Sequence, residues 1–127
     1  LGPVHILINN AGVGSAGRYL SDGKTEDWKT IFDVNVLALC ITTREAVKIM
    51  KENKINGHIV HINSLAGHKV VSFPGLSVYP GSKFAVTALT ETLRQEFNHL
   101  GLKIKVTVSF THGVAEFFAS FTCFVEC

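Results

Sequence analysis

Three short segments rich in β-branched residues alternate with two long amphipathic segments, and this alternation most narrows what the chain can fold into. The short runs at residues 4–8, 58–64 and 103–109 have the length and composition of strands. Apolar residues recur at helical spacing over residues 25–51 and 79–100. Such strand–helix–strand units favour parallel strands joined by right-handed crossovers, so we predict an α/β fold with a doubly wound parallel sheet.

The two helices carry start and stop signals of their own. We expect Thr25 to cap the first helix, with Glu26 and Asp27 in its first turn, where the helix dipole favours acidic side chains. Gly101 should end the second helix. The apolar stripe of that helix is formed by Val86, Leu89, Leu93, Phe97 and Leu100.

The predicted sheet is incomplete. A doubly wound sheet usually has about six strands, so the edge of the first of these three should expose backbone groups that need a neighbour. The 127 residues, of which 46% are hydrophobic and 17% charged, exclude disorder and allow one well-buried domain.

The distribution of charge restricts the partners. The 12 basic and 10 acidic residues give a net charge of +2 and form no basic stripe, which excludes nucleic acid and an anionic membrane surface as expected partners. No apolar run approaches the ~20 residues of a membrane span, and we expect no signal peptide. The odd number of cysteines (Cys40, Cys123 and Cys127) favours a reducing compartment, so we expect a cytoplasmic protein.

Polar and glycine residues follow the strands where a doubly wound sheet binds its ligands, beyond the carboxyl ends of the strands. Residues 9–12 (Asn-Asn-Ala-Gly) end the first strand, Ser64 ends the second, and Tyr79 opens the next helix. Lys83 lies one helical turn after Tyr79, so both side chains should project from one face.

This arrangement suits proton transfer. A phenol titrates near ~10 and is a poor base at neutral pH, but an ammonium group nearby favours the phenolate. A tuned tyrosine can take a proton from an alcohol or return one to a carbonyl while a cofactor exchanges hydride. Taken singly, each feature has an ordinary explanation: a surface i,i+4 pair for Tyr79 and Lys83, a β-turn for residues 9–12, and a cap for Ser64.

Four motifs in this order resemble those of the short-chain dehydrogenase/reductase family. They are Asn-Asn-Ala-Gly at 9–12, Asp-Val-Asn-Val at 33–36, Ile-Asn-Ser-Leu-Ala-Gly at 62–67 and Tyr-Pro-Gly-Ser-Lys at 79–83. The segments 35–40, 57–60 and 86–91 are similar to the branch that holds the insect farnesol dehydrogenases and dehydrogenase/reductase member 11. The resemblance implies a Rossmann-like domain that is partial over residues 1–114, followed by a divergent tail over 115–127.

The resemblance also implies roles for particular residues. Tyr79 would be the acid/base, Lys83 would favour its ionised form and bind the nicotinamide ribose, Ser64 would orient the substrate oxygen, and Asn35 would hold a water in the proton relay. The cofactor cleft would be lined by Asn9, Ala11, Gly12, Tyr79, Lys83, Gly113 and Val114.

The family further implies the ligands and the assembly. The cofactor would be NADP or NAD, with NADP favoured by the branch, and no metal is expected. The substrate would be an apolar alcohol or ketone of the isoprenoid, retinoid or steroid type. The two long helices would pair copies of the chain into a homodimer or homotetramer.

The chain departs from the family pattern at both ends. It lacks the Thr-Gly-x-x-x-Gly-x-Gly turn that receives the pyrophosphate, and residues 12–17 imitate such a turn without a helix start after them. His112 and Phe117 stand where the family has proline and threonine. The alternative interpretation is therefore a catalytically inactive, truncated relative that keeps only the dimerisation helices.

Two other kinds of site are set aside. A serine hydrolase would need Gly-x-Ser-x-Gly around Ser64, where the chain has Ile62 and Ala66. His58 and His61 are three residues apart on a strand, so they face opposite sides and cannot share a metal ion.

Overall fold

The computed structural model describes residues 2–15 and 17–111 and the backbone of residues 123–126. The elements follow in the order β1 (Ile6–Asn9), α1 (Thr25–Phe32), a π-helical segment (Asp33–Ala38), α2 (Leu39–Glu52), β2 (His58–Ser64), a 3-10 turn (Leu65–Gly67), α3 (Tyr79–His99), β3 (Lys105–Thr111) and β4 (Cys123–Glu126).

Strands β1, β2 and β3 form the parallel sheet that the sequence predicts. The strand order is β3-β2-β1-β4, and Ile6 of β1 is aligned with His58 of β2, which is aligned with Lys105 of β3. Strand β2 has the predicted bounds, whereas β1 and β3 each begin two residues later than predicted. The α/β class with a partial, Rossmann-like parallel sheet is confirmed.

Strand β4 was not predicted. It pairs antiparallel with β1, with Glu126 opposite Ile6 and Cys123 opposite Asn9. The edge of β1, which we expected to lack a neighbour, is therefore hydrogen-bonded to the predicted tail. Such a pairing between residues far apart in sequence leaves no local pattern from which it could be read.

The first long helix is divided by the π-helical segment at Asp33–Ala38. We predicted one continuous helix, but periodicity cannot reveal the wider turn of a π-helix. The prediction that Thr25 caps α1 is wrong: Lys24 is the N-cap, it makes no side-chain cap bond, and Thr25 is the first helical residue. The wider turn matters because Asn35 lies within it and is buried.

Helix α3 carries Tyr79 and Lys83, two of the predicted site residues. It begins at Tyr79 with Pro80 in its first turn, and Gly101 with a φ of +66° follows its end, as predicted. The predicted apolar stripe is wrong at one position, because Leu100 is 60% exposed. Leu100 follows the last helical residue and so has left the buried face.

Helices α2 and α3 cover one face of the sheet. The core cluster draws its members from β1, α2, β2, α3 and the approach to β3, namely Leu7, Ala46, Met50, Ile59, Phe97 and Ile104. Alternate residues of β2 are buried because they face these helices. Among the described residues, no helix combines the length and apolar character needed to cross a membrane.

A polar network centred on His61 crosses this core. The Thr90 hydroxyl donates to the Val86 carbonyl at 2.7 Å, so its oxygen accepts from Nδ1–H of His61 at 2.9 Å. Nε2 of His61 then accepts from the Thr43 hydroxyl at 3.3 Å, and Oγ1 of Thr43 accepts from the Asn9 amide at 2.9 Å. The ring is thus neutral with its proton on Nδ1, and burial lowers the pKa of His61 to about 4.

We predict that His61 makes the fold sensitive to acid. The unfolded chain binds a proton at this ring near pH 6.5 and the folded chain only near pH 4. The stabilisation is therefore complete above pH 6.5 and declines as the pH falls towards 4, by about 3 kcal/mol in total. Urea unfolding at several pH values measures this loss.

The matched variants are His61→Gln and His58→Gln. His58 lies on the opposite face of the same strand and bonds Thr107. We expect His61→Gln to flatten the pH dependence between 6.5 and 4 and His58→Gln to retain it. An equal loss in wild type and His61→Gln would contradict the assignment.

Candidate active site

The carboxyl ends of β1 and β2 and the start of α3 meet at one edge of the sheet. Because β1 and β2 are parallel, the turn after Asn9 and the serine at position 64 lie at the same edge. Helix α3 begins there with Tyr79 and contacts both the 3-10 turn and the π-helical segment. The predicted site residues in the described part of the chain therefore converge on one region.

Lys83 and Tyr79 form the centre of this region. Nζ of Lys83 lies 5.8 Å from the centroid of the Tyr79 ring, so the two side chains share a face of α3. Lys83 is 7% exposed, and burial lowers its pKa. Its ammonium makes no hydrogen bond to a residue that the structure describes. Because every fully buried side-chain nitrogen there has a partner, this nitrogen keeps some accessible surface, where it can receive a ligand oxygen.

Gly12 faces this ammonium from the turn after β1. A Cβ atom at Gly12 would lie 3.4 Å from Nζ of Lys83 and 3.6 Å from Oδ1 of Asn35. The glycine therefore leaves a space bounded by backbone, an ammonium and an amide. Ala11, beside it, is half-buried.

The side chain of Asn35 joins three parts of the site. Its Oδ1 accepts from the backbone N–H of Val13 at 2.8 Å, and its Nδ2 donates to the Val13 carbonyl at 2.9 Å. Nδ2 also donates to Oγ of Ser82 at 3.0 Å. Both amide hydrogens are thus engaged, and the water-binding role expected of Asn35 stays a prediction.

Ser64 has an uncommitted hydroxyl proton. Its Oγ accepts from the backbone N–H of Ala66 at 3.2 Å, which caps the short 3-10 turn. The hydroxyl proton is not donated to any described residue, so it is available to a substrate oxygen. The ordinary role of a cap and the predicted role of substrate binder are therefore compatible.

The side chain of Asn9 is turned away from Lys83. Its Nδ2 donates to Thr43 at 2.9 Å, and its Oδ1 accepts from Thr42 at 2.6 Å, so the amide anchors β1 to α2. Of the expected cofactor-cleft residues, Gly113 and Val114 lie outside the described residues.

Two residues that fix α3 were missed. Asn63 donates from Nδ2 to the Lys83 carbonyl at 3.2 Å and to Thr87 at 2.9 Å, and thereby ties β2 to α3. Ser82 is fully buried beside Lys83. Both residues are adjacent in sequence to predicted site residues, Ser64 and Lys83, and this adjacency could have singled them out. A single sequence does not show which way either side chain points.

The glycine pattern at residues 12–17 does not form a phosphate-binding turn in the described residues. No helix starts directly after it, since α1 begins at Thr25. Instead, this loop docks on the loop before α3: a Cβ at Gly75, whose φ is +75°, would lie 2.8 Å from Gly17. Helix α1 also contacts the loop before α3, since the indole N–H of Trp28 donates to Ser77 at 3.0 Å.

His58 and His61 lie on opposite faces of β2, since His61 faces the helices and His58 bonds Thr107 on the other face. Within residues 2–15 and 17–111, no group of three or more histidine, cysteine or acidic side chains could hold a metal ion.

Comparison with known proteins gives this site a family. Residues 1–115 match the model of the short chain dehydrogenase family. The chain is 44% identical over 113 residues to farnesol dehydrogenase of Aedes aegypti. The matched stretch covers 89% of this chain and 46% of that protein. It is 48% identical over 114 residues to dehydrogenase/reductase SDR family member 11 of Homo sapiens, covering 89% of this chain and 43% of the relative.

Solved structures agree with these sequence matches. A short chain dehydrogenase/reductase from Burkholderia phymatum in complex with NAD matches with a TM-score of 0.78 and 37% identity, over 86% of this chain and 38% of that chain. The closed form of serine dehydrogenase complexed with NADP+ matches with a TM-score of 0.73 and 32% identity, over 83% of this chain and 40% of that one. The chain belongs to the short-chain dehydrogenase/reductase family, and it spans less than half the length of these relatives.

We predict opposite effects for two glycine substitutions beside the site. A Cβ at Gly67 would lie 2.6 Å from the backbone oxygen of Lys83, so Gly67→Ala should destabilise the fold by about 1–3 kcal/mol. A Cβ at Gly81 meets nothing within 4 Å, so Gly81→Ala in α3 should be neutral or stabilising by up to about 1 kcal/mol. Urea unfolding of both variants checks the pair, and a stable Gly67→Ala would contradict the packing of the 3-10 turn against α3.

Proposed function

We propose that this chain supplies the proton-transfer half of an NAD(P)-dependent oxidoreductase acting on an alcohol or carbonyl. The observation that carries the proposal is the Lys83 ammonium, which ends a buried side chain beside Tyr79, faces the turn at Gly12 and has no described hydrogen-bond partner. The fully buried polar side-chain atoms of the described residues all have partners, so this nitrogen retains accessible surface and can meet a ligand there.

The residues present fit a nicotinamide cofactor. Lys83 offers a donor for ribose hydroxyls, and Gly12 leaves the adjacent backbone open for close approach. When bound, the nicotinamide accepts or supplies the hydride. Related structures hold NAD, NADH or NADP+, and similarity to the farnesol dehydrogenase branch favours NADP in this proposal.

Proton transfer is assigned to the side chains of this chain. Tyr79 takes the proton of the alcohol during oxidation and returns one to the carbonyl oxygen during reduction. The positively charged nitrogen of Lys83 lies 5.8 Å from the centroid of the Tyr79 ring and faces the group that exchanges the proton. Ser64 donates its free hydroxyl proton to the substrate oxygen and holds it within reach of Tyr79.

We further propose an apolar substrate of the isoprenoid, retinoid or steroid type. The similarity to farnesol dehydrogenase supports this class. The loop between β2 and α3 also carries the exposed apolar side chains Val70 and Phe73. Such side chains suit a hydrocarbon ligand better than a charged one.

The proposed assembly is a homodimer or homotetramer formed through the long helices. Leu37, Ile41 and Phe84 are large apolar side chains that these helices expose. A cytoplasmic location is proposed as well, and the free thiol of Cys40 agrees with a reducing compartment.

A second candidate is a non-catalytic relative that pairs with other copies. Strand β4 favours it, because β1 has only two hydrogen-bonding edges and β2 and β4 occupy both. In the doubly wound order the corresponding edge takes a strand of the nucleotide-binding half.

The test is a chimera in which residues 1–114 replace the matching segment of the human relative. We predict that the chimera oxidises NADPH in the presence of an apolar ketone. In Tyr79→Phe the rate of this reaction should fall by about 10²- to 10⁴-fold. Tyr19→Phe is the matched control, since Tyr19 is exposed and outside the site; its activity should equal that of the unmodified chimera. A folded Tyr79→Phe chimera with nearly full turnover would contradict the assignment of Tyr79 as the proton-transfer residue.

Lys83→Met tests the cofactor contact in the same chimera. We expect weaker binding of NADPH in a fluorescence titration, whereas Lys69→Met, at an exposed lysine, should bind normally. Equal affinities for the two variants would remove Lys83 from the cofactor site. A folded but inactive unmodified chimera would favour the second candidate.

A further inference from the structure

We propose that Ser82 is a positioning residue that sets the spacing between the turn after β1 and the Tyr79–Lys83 pair. This role rests on the proposed function, because it concerns the groups that would meet substrate and cofactor. Ser82 itself is not placed in contact with either ligand.

The hydroxyl of Ser82 makes two directed hydrogen bonds. It donates to the backbone carbonyl of Tyr79 at 2.7 Å, so its single proton is committed. Its oxygen accepts from Nδ2 of Asn35 at 3.0 Å. Because Ser82 is fully buried, no water can replace either partner without a rearrangement.

These bonds continue into the turn that faces Lys83. Asn35 holds both the N–H and the carbonyl of Val13, the residue after Gly12. A continuous path of hydrogen bonds therefore runs from the backbone of the β1 turn through Asn35 and Ser82 to the backbone of Tyr79. Ser82 provides the last link in this path.

Neither alanine nor threonine, the residues closest in size to serine, can replace Ser82. Alanine removes the acceptor and leaves one amide hydrogen of Asn35 buried without a partner. Threonine adds a methyl group at a site with no accessible surface. Serine is thus the side chain that both fits and links the two elements.

The consequence for catalysis follows from geometry. Without the link, the first turn of α3 can shift relative to the turn at Gly12, and a misplacement of about 1 Å can cost about 100-fold in rate. The variant still carries Lys83 and Gly12, so we expect a larger loss in kcat than in cofactor affinity.

Thr90→Val provides a matched control for Ser82→Ala. Thr90 is also a buried hydroxyl of α3, donates to the Val86 carbonyl at 2.7 Å and is hydrogen-bonded to a buried nitrogen, Nδ1 of His61. These two partners, Val86 and His61, do not belong to the site. Each variant therefore removes one buried hydroxyl of one helix and should lower the thermal midpoint.

In the chimera with the human relative, we expect Ser82→Ala to lower kcat at least about tenfold while KM for NADPH changes less than about threefold. Thr90→Val should retain the kcat of the unmodified chimera. Equal kcat values for Ser82→Ala and Thr90→Val would overturn the proposal, because the effect of Ser82 would then be one of stability alone.

A double-mutant cycle in the chain itself tests the link without any activity. We expect Ser82→Ala combined with Asn35→Ala to lower the urea midpoint by less than the sum of the two single shifts, since both changes break the Asn35–Ser82 bond and only Ser82→Ala also removes the bond to the Tyr79 carbonyl. Additive midpoint shifts would overturn the proposal. Absence of turnover in the unmodified chimera would count against the proposed function, whereas the cycle would still decide whether Ser82 and Asn35 act as a pair.

Discussion

The buried amide of Asn35 is the contact on which the arrangement of the site depends. Its three hydrogen bonds hold both backbone groups of Val13 and the hydroxyl of Ser82. The turn after β1 has no strand or helix to satisfy its backbone, and burial makes an unsatisfied peptide group costly. Asn35 supplies those partners, and the wider turn of the π-helical segment brings it to the right depth.

The site separates groups that hold the structure from groups that remain available. Asn9 and Asn63 are buried amides that join strands to helices, and the buried amide of Asn35 joins the turn after β1 to α3. In the described residues, every fully buried side-chain nitrogen or oxygen has a partner. The Lys83 ammonium and the Ser64 proton, by contrast, have no described acceptor. These two groups lie among neighbours whose hydrogen bonds are satisfied. They are therefore the groups through which the chain would act on a ligand.

The sequence predicted what depends on local pattern. The alternation of elements, the bounds of β2, the start of α3 and the proximity of Tyr79 to Lys83 follow from periodicity and from turn residues. The family followed from four motifs in a fixed order. The elements that failed depend on tertiary context: a π-helical segment has the same composition as an α-helix, and β4 is set by pairing with a distant strand.

Side-chain direction was equally beyond the sequence. Asn9 was expected in the cofactor cleft, yet its amide bonds Thr42 and Thr43 of α2, because the alternation of the strand turns it towards the helices. Ser82 had no predicted role of its own, although it is fully buried and bonds Asn35. A pattern of residues places a side chain on an element, but the packing of neighbouring elements decides what it contacts.

Hydrogen exchange at the amide of Val13 tests most directly whether Asn35 assembles the site in this chain. Val13 belongs to no helix or strand, and its N–H is held by Oδ1 of Asn35 at 2.8 Å. We predict protection close to that of the amides of β2, and its loss in Asn35→Ala while β2 remains protected. Exchange of Val13 in the unmodified chain as fast as that of the exposed Gly14 would show that the turn is not held, and would contradict a preassembled site.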